Sequence, residues 1–135
     1  MDNEALRSLA NDRLNQALEC INSADADIEL GHIKSAGNRA YYAVYHSIRS
    51  LINYKSKKHS GNIAEFRKLF IKTGSFNPNL SLTIDSSSLM RNKCDYADYF
   101  VVNLSEVEKQ LENAKHFYKE VKLYVDDSFR SKPLE

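Results

Sequence analysis

The sequence has no tryptophan, two cysteines, two prolines and four glycines in 135 residues. Cys20 and Cys94 are too few and too far apart for the disulfide framework of a small secreted domain, so two free buried thiols in a reducing compartment are expected. The glycines, Gly31, Gly37, Gly61 and Gly74, fall in no phosphate-cradling pattern. No run approaches the roughly 18 apolar residues that span a bilayer. The acidic, polar N-terminal stretch is unlike a signal peptide. These absences predict a cytoplasmic location and no membrane association. His32, His46, His59 and His116 share no metal-ligand spacing with each other or with the cysteines, so neither a metal nor a cofactor is expected. No serine sits in a nucleophile elbow, and Ser86-Ser87-Ser88 reads as a helix entry.

Charge is balanced overall, with 19 Lys and Arg against 18 Asp and Glu, but it is unevenly spread. Residues 1–30 are acidic. Residues 54–72 carry Lys55, Lys57, Lys58, Arg67, Lys68 and Lys72 against Glu65 alone. That basic stretch suits either contact with phosphates or a solvated loop and helix face.

Apolar residues recur at helical spacing nearly throughout. Leu6, Ala10, Leu14, Ala17, Ile21, Ala24 and Ile28 define a first long helix that Gly31 is placed to stop. A second, from about Lys34 to Asn53, carries Ala40, Val44, Ile48 and Leu51 on one stripe, widened by Tyr41, Tyr45 and Ile52. So broad an apolar arc predicts a central helix, with surface to spare for a partner. Ser60 is placed to cap a short third helix with Ile63, Phe66, Leu69 and Phe70, ended by Gly74. Met90, Cys94, Ala97 and Val101 mark a fourth helix whose start is left open by indifferent helix formers. Ser105 and Glu108 have capping-box spacing before a fifth, marked by Val107, Leu111, Ala114, Tyr118, Val121 and Val125. The expectation is one all-α domain over residues 1–126, an antiparallel up-down bundle of four long helices and one short. Residues 127–135 are expected to fray, with Leu134-Glu135 resembling a tag remnant.

Two constellations could carry chemistry. On the second helix Arg39, Tyr42, His46 and Arg49 step by three, four and three. Arginines grip phosphate, a histidine moves protons near neutral pH, and a tyrosine stacks on a base. The alternative is an ordinary solvent face. On the fourth helix Arg91 and Asp95 share a face beside Tyr96, Asp98 and Tyr99, which alone amounts to an intrahelical ion pair of about 0.3 kcal/mol.

The string from Asn38 to His46 (Asn-Arg-Ala-Tyr-Tyr-Ala-Val-Tyr-His) resembles the second-helix signature of the HEPN superfamily. It is most like the stand-alone subfamily often paired with a minimal nucleotidyltransferase. Lys58-His59-Ser60-Gly61 with Phe66, and Arg91 with Asp95-Tyr96, look like that subfamily's later blocks, and the match runs from about residue 10 to residue 125. The resemblance implies a dimer with the fourth-helix motifs around one cleft. It also implies a nucleotide- or RNA-binding site that includes Arg39, Tyr42, Lys58, His59 and Arg91, and membership of a toxin–antitoxin pair with a nucleotidyltransferase. Many such proteins are metal-independent ribonucleases with an Arg-x4-His motif. Here Tyr96 stands where that histidine belongs, and a phenol of pKa near 10 is a poor base at pH 7. Catalysis, if retained, needs Arg91, Asp95 and Tyr96 with His46 or His59; otherwise the protein binds without cleaving, or is a plain helical interaction module. In related pairs a tyrosine near the motif receives nucleotides, which makes Tyr96 and Tyr99 modification candidates. Neither stands at the family's tyrosine position.

Overall fold

The computed structural model describes residues 3–52, 58–96 and 102–130. They form α1 (Asn3–Glu29), α2 (Ile33–Arg49), α3 (His59–Phe66), α4 (Asn79–Asp95) and α5 (Leu104–Arg130), with a π turn over Arg67–Ile71 directly after α3. This is an all-α bundle, as the helical periodicity predicts. No described helix is long and apolar enough to cross a membrane.

The core follows the expected stripes. Leu14, Ala17, Ile21 and Ala24 of α1, Ala40, Val44 and Ile48 of α2, and Val107, Leu111, Ala114 and Val121 of α5 are all buried. Helix α2 is central, touching α1, α3, α4 and α5. Gly31 and Gly74 both have positive φ, 78° and 82°, where a side chain would be strained. Gly37 is needed for a different reason. It faces α4 so closely that a Cβ there would come 2.5 Å from the Cys94 sulfur, and this close approach brings the C-terminal part of α4 against the N-terminal half of α2.

Several boundaries differ from the sequence reading, each for a local reason. Helix α2 ends at Arg49 rather than near Asn53. Arg13 of α1 takes the freed carbonyls, its Nη1 donating to Arg49 O at 2.6 Å and Ile52 O at 2.8 Å. Ser60 lies inside α3, and Lys58 occupies the N-cap position. The cap of α5 is Asn103, not Ser105. Asn103 Oδ1 accepts the Glu106 N–H at 2.9 Å and its side-chain Nδ2 donates to Glu106 Oε1 at 3.0 Å, an N-cap bond reinforced by a side-chain contact two residues upstream of the expected cap. Phe117, fully buried, takes the core place assigned to Tyr118, which is only partly buried. Ser86-Ser87-Ser88, expected as a helix entry, instead lies in the middle of α4, where Ser87 and Ser88 fold their hydroxyls back onto Thr83 O and Ile84 O. Ala97 and Val101 lie outside the described residues. Helix α5 continues through residues 127–130, held by Ser128 Oγ on Tyr124 O at 2.8 Å and by Phe129 against the core.

Candidate functional site

Side chains from α2, α3 and α4 converge at one place. Successive residues of a helix point about 100° apart, so Tyr41, Tyr42, Tyr45 and His46 fan over the side of α2 that α3 and α4 approach. His59, the first residue of α3, stacks on Tyr45 with ring centres 3.8 Å apart. Its Nδ1 lies 2.9 Å from the Tyr41 hydroxyl. Asn62, one turn further along α3 and fully buried, donates from Nδ2 to the Tyr45 hydroxyl at 2.8 Å. Both buried phenols thus have partners, as burial of a polar tip demands.

From α4, Arg91 lays its guanidinium over the same rings, 4.9 Å from the centre of Tyr41 and 5.3 Å from Tyr42. Arg39 covers Tyr42 as well, at 5.1 Å. Tyr42 therefore contacts two guanidinium groups, one from its own helix and one from α4. A polar chain ties the two arginines together. Arg39 Nη2 donates to Asn38 Oδ1 at 2.6 Å, Asn38 Nδ2 donates to Asp95 Oδ1 at 3.3 Å, and Asp95 Oδ2 lies 3.4 Å from Arg91 Nε. The last contact is an ion pair without hydrogen-bond geometry, and Arg91 Nε is buried with no acceptor. About a third of the Arg91 side chain is exposed, so the guanidinium is fixed by the rings while remaining open to solvent.

The electrostatics follow from this crowding. Burial, then the charges of Arg91 and Arg49, hold the His59 imidazole below its ordinary pKa. Burial, then Arg49, Arg39 and His59, do the same to His46. Burial pushes the Tyr41 phenol up, against the opposing pull of Arg91. Near neutral pH the phenol is protonated and the imidazole neutral. The better donor then faces the better acceptor: Tyr41 O–H donates to His59 Nδ1, which leaves the imidazole proton on Nε2.

The two constellations that the sequence leaves apart are thus one site. Arg39, Tyr42, His46, His59, Arg91 and Asp95 are brought together in it. Lys58 precedes His59 as the exposed N-cap of α3. Tyr96 is not part of the cluster. It stands at the C-cap of α4, five residues and so about 140° around from Arg91, and it is 61% exposed. Tyr99 lies outside the described residues. The sequence reading missed Asn38 and Asn62 and gave Tyr41 and Tyr45 to the core alone. They are core residues, but their hydroxyls work at the site. A buried tyrosine needing a polar partner was the available signal.

The Tyr41 and Tyr45 side of the broad apolar arc of α2 is covered within the chain by His59 and Asn62 of α3. Among the described residues no group of three His, Cys, Asp or Glu side chains is placed to hold a metal ion.

Comparison with known proteins agrees with the extent of this architecture. The chain is 28% identical over 119 residues to a UPF0332 protein of Thermotoga maritima, an alignment covering 86% of this chain and 90% of that one. It is 30% identical over 93 residues to a protein of Methanocaldococcus jannaschii named as a candidate toxin, covering 67% of this chain and 63% of that longer one. The family model of the HEPN domain matches residues 10–124, from the first helix to the last and across every residue of the cluster, and the chain belongs to that family.

Proposed function

We propose that this protein is a nucleotide- or RNA-binding HEPN protein that works as one half of a toxin–antitoxin pair, with a minimal nucleotidyltransferase as the other half. The observation that carries the reading is the placement of Arg91 and Arg39 on the faces of Tyr41 and Tyr42. Guanidinium groups held over rings and partly open to solvent suit phosphate oxygens, and neighbouring tyrosine and histidine rings suit a base. The toxin name of the archaeal relative supports the pairing. So does Tyr96, whose exposed ring at the end of α4 is accessible to a modifying enzyme.

A homodimer is part of this reading. Leu82, Leu89 and Tyr96 recur every seven residues along α4 and are each about 60% exposed. That stripe faces away from the core, and a second copy would cover it. It also lies across α4 from Arg91, so a dimer built on it leaves one site open in each protomer in place of a shared cleft.

Fluorescence anisotropy with labelled single-stranded RNA tests the binding. Micromolar or tighter affinity is expected for the wild type, with a loss of at least tenfold for Arg91→Ala. Absence of binding in low salt overturns the reading. Co-purification with a co-expressed nucleotidyltransferase, and mass addition on Tyr96, test the pairing.

A second reading has its own support. His59 is neutral, carries Arg91 in its field and shares the site within one chain. In a metal-independent ribonuclease it would act through its other tautomer, donating Nδ1–H to the Tyr41 oxygen so that Nε2 takes the ribose 2′-hydroxyl proton while Arg91 stabilises the phosphorane, the roles given by Arg-x4-His in catalytic relatives. Metal-free cleavage of bulk RNA that His59→Ala abolishes would favour this reading over binding alone.

A further inference from the structure

Beside the arginine–tyrosine cluster runs a groove of about 400 Å³ between α3 with its π turn on one side and α4 on the other. Ser60, Ala64, Arg67, Lys68 and Lys72 line the first wall, and Ile84, Asp85 and Ser88 the second. The groove opens directly beside the cluster. Ser60 follows His59 in the chain, and Ser88 lies one turn before Arg91 on the same face of α4.

Its charge is unbalanced in a specific way. Arg67 and Asp85 neutralise each other across the groove, Nη2 to Oδ1 at 2.6 Å. Arg67 Nη2 also reaches Ser81 O at 3.3 Å, so this pair clamps the π turn to α4. Lys68 and Lys72 are exposed, and among the described residues neither forms an ion pair. The π turn, closed by Lys72 N–H on Arg67 O at 2.9 Å, brings both lysines to the same wall.

We propose that this groove carries the single-stranded RNA backbone flanking the nucleotide held at Arg91, with Lys68 and Lys72 contacting two of its phosphates. The inference rests on the RNA-binding reading of the cluster. It adds a direction, since the chain leaves the site past Ser60 and Ser88 toward the π turn, and a preference for oligonucleotides over mononucleotides. Lysines on flexible stems at a sequence-neutral wall contribute affinity and salt dependence without base selectivity.

The test compares a dinucleotide with a ten-nucleotide single-stranded RNA, each titrated against wild type and Lys68→Ala/Lys72→Ala at several salt concentrations. The expected result is an approximately tenfold weaker decanucleotide for the variant. Its log–log salt dependence should be shallower by about 1.4, the value for two single-strand phosphate contacts, and dinucleotide affinity should be unchanged. The dinucleotide also reports that the variant is folded. Unchanged decanucleotide binding, or an equal loss for both ligands, overturns the groove while leaving the Arg91 site standing. A wild type that binds neither RNA overturns the reading of the site itself.

Discussion

The Tyr41 hydroxyl lies 2.9 Å from Nδ1 of His59, a contact that joins the middle of α2 to the first residue of α3. It fixes the ring of His59 with Nε2 as the free edge and holds the start of α3 beside Arg91. Chain segments that are eighteen positions apart thereby share one electrostatic environment.

That environment makes the histidines sensitive to single arginines. His59 and His46 both titrate below their ordinary pKa, through burial first and arginine charge second. In the NMR pH titration, Arg91→Ala should move His59 upward. It should affect His46 much less, since its charged neighbours are Arg49, Arg39 and His59. The sign for stability follows. A histidine whose folded pKa is depressed contributes fully above its unfolded pKa of about 6.5, and the contribution is lost as pH falls through the lower folded value. Thermal stability should therefore fall on acidification below about pH 6.5, and less steeply for His59→Gln.

Gly37→Ala should be among the more damaging small substitutions. The added Cβ would lie 2.5 Å from Cys94 Sγ, and a sulfur one bond beyond its own Cβ has little room to give way. Overpacking of this kind costs about 1–3 kcal/mol. The double variant Gly37→Ala/Cys94→Ala should recover most of the loss in a denaturant melt. No recovery would place the strain elsewhere on the α2–α4 contact.

The stripes of α1, α2 and α5 were legible in the sequence because burial writes a repeating pattern along each helix. The site was legible only in pieces. Arg39, Tyr42 and His46 can be found by spacing on one helix, and Arg91 with Asp95 on another, but no local pattern says that Gly37 lets those helices meet. The role of Asn38 depends wholly on that meeting, and that of Asn62 on the packing of α3 against α2. The cap of α5 was misplaced for a related reason. Asn103–Glu106 and Ser105–Glu108 are both capping-box spacings in this sequence, and only the point at which the chain enters the helix chooses between them.

That choice has a direct measure. Asn103→Ala removes the acceptor for the Glu106 N–H and should cost about 1 kcal/mol, as loss of a cap typically does. Ser105→Ala removes only a hydroxyl contact to Asn103 Oδ1 and should stay within about 0.5 kcal/mol, the range of ordinary surface changes. The reverse order in chemical denaturation would return the cap to Ser105.

Arg91→Ala separates a binding residue from scaffold. Its ion pair with Asp95 is about a third exposed on one side and more on the other, so it is worth roughly 0–1 kcal/mol. The two ring contacts add about 0.5–1 kcal/mol each at such a site, while removal of the charge relieves His59. The net loss should be about 1–2 kcal/mol, which lowers the melting temperature of a domain this size by about 3 to 8 °C. Its effect on ligand response should be larger. Buried Arg91 Nε lacks a hydrogen-bond acceptor, and an arriving phosphate would neutralise Arg39 and Arg91 together. Phosphate or a nucleotide should raise the melting temperature of the wild type and leave Arg91→Ala unmoved. Arg91→Lys should respond weakly, because an ammonium keeps the charge but loses the planar fork. The measurement is a set of melting curves for the three proteins with and without ligand. If Arg91→Ala melts far lower yet gains as much from ligand as the wild type, Arg91 is scaffold. The anion site then belongs to Arg39, Tyr42 and His46 alone.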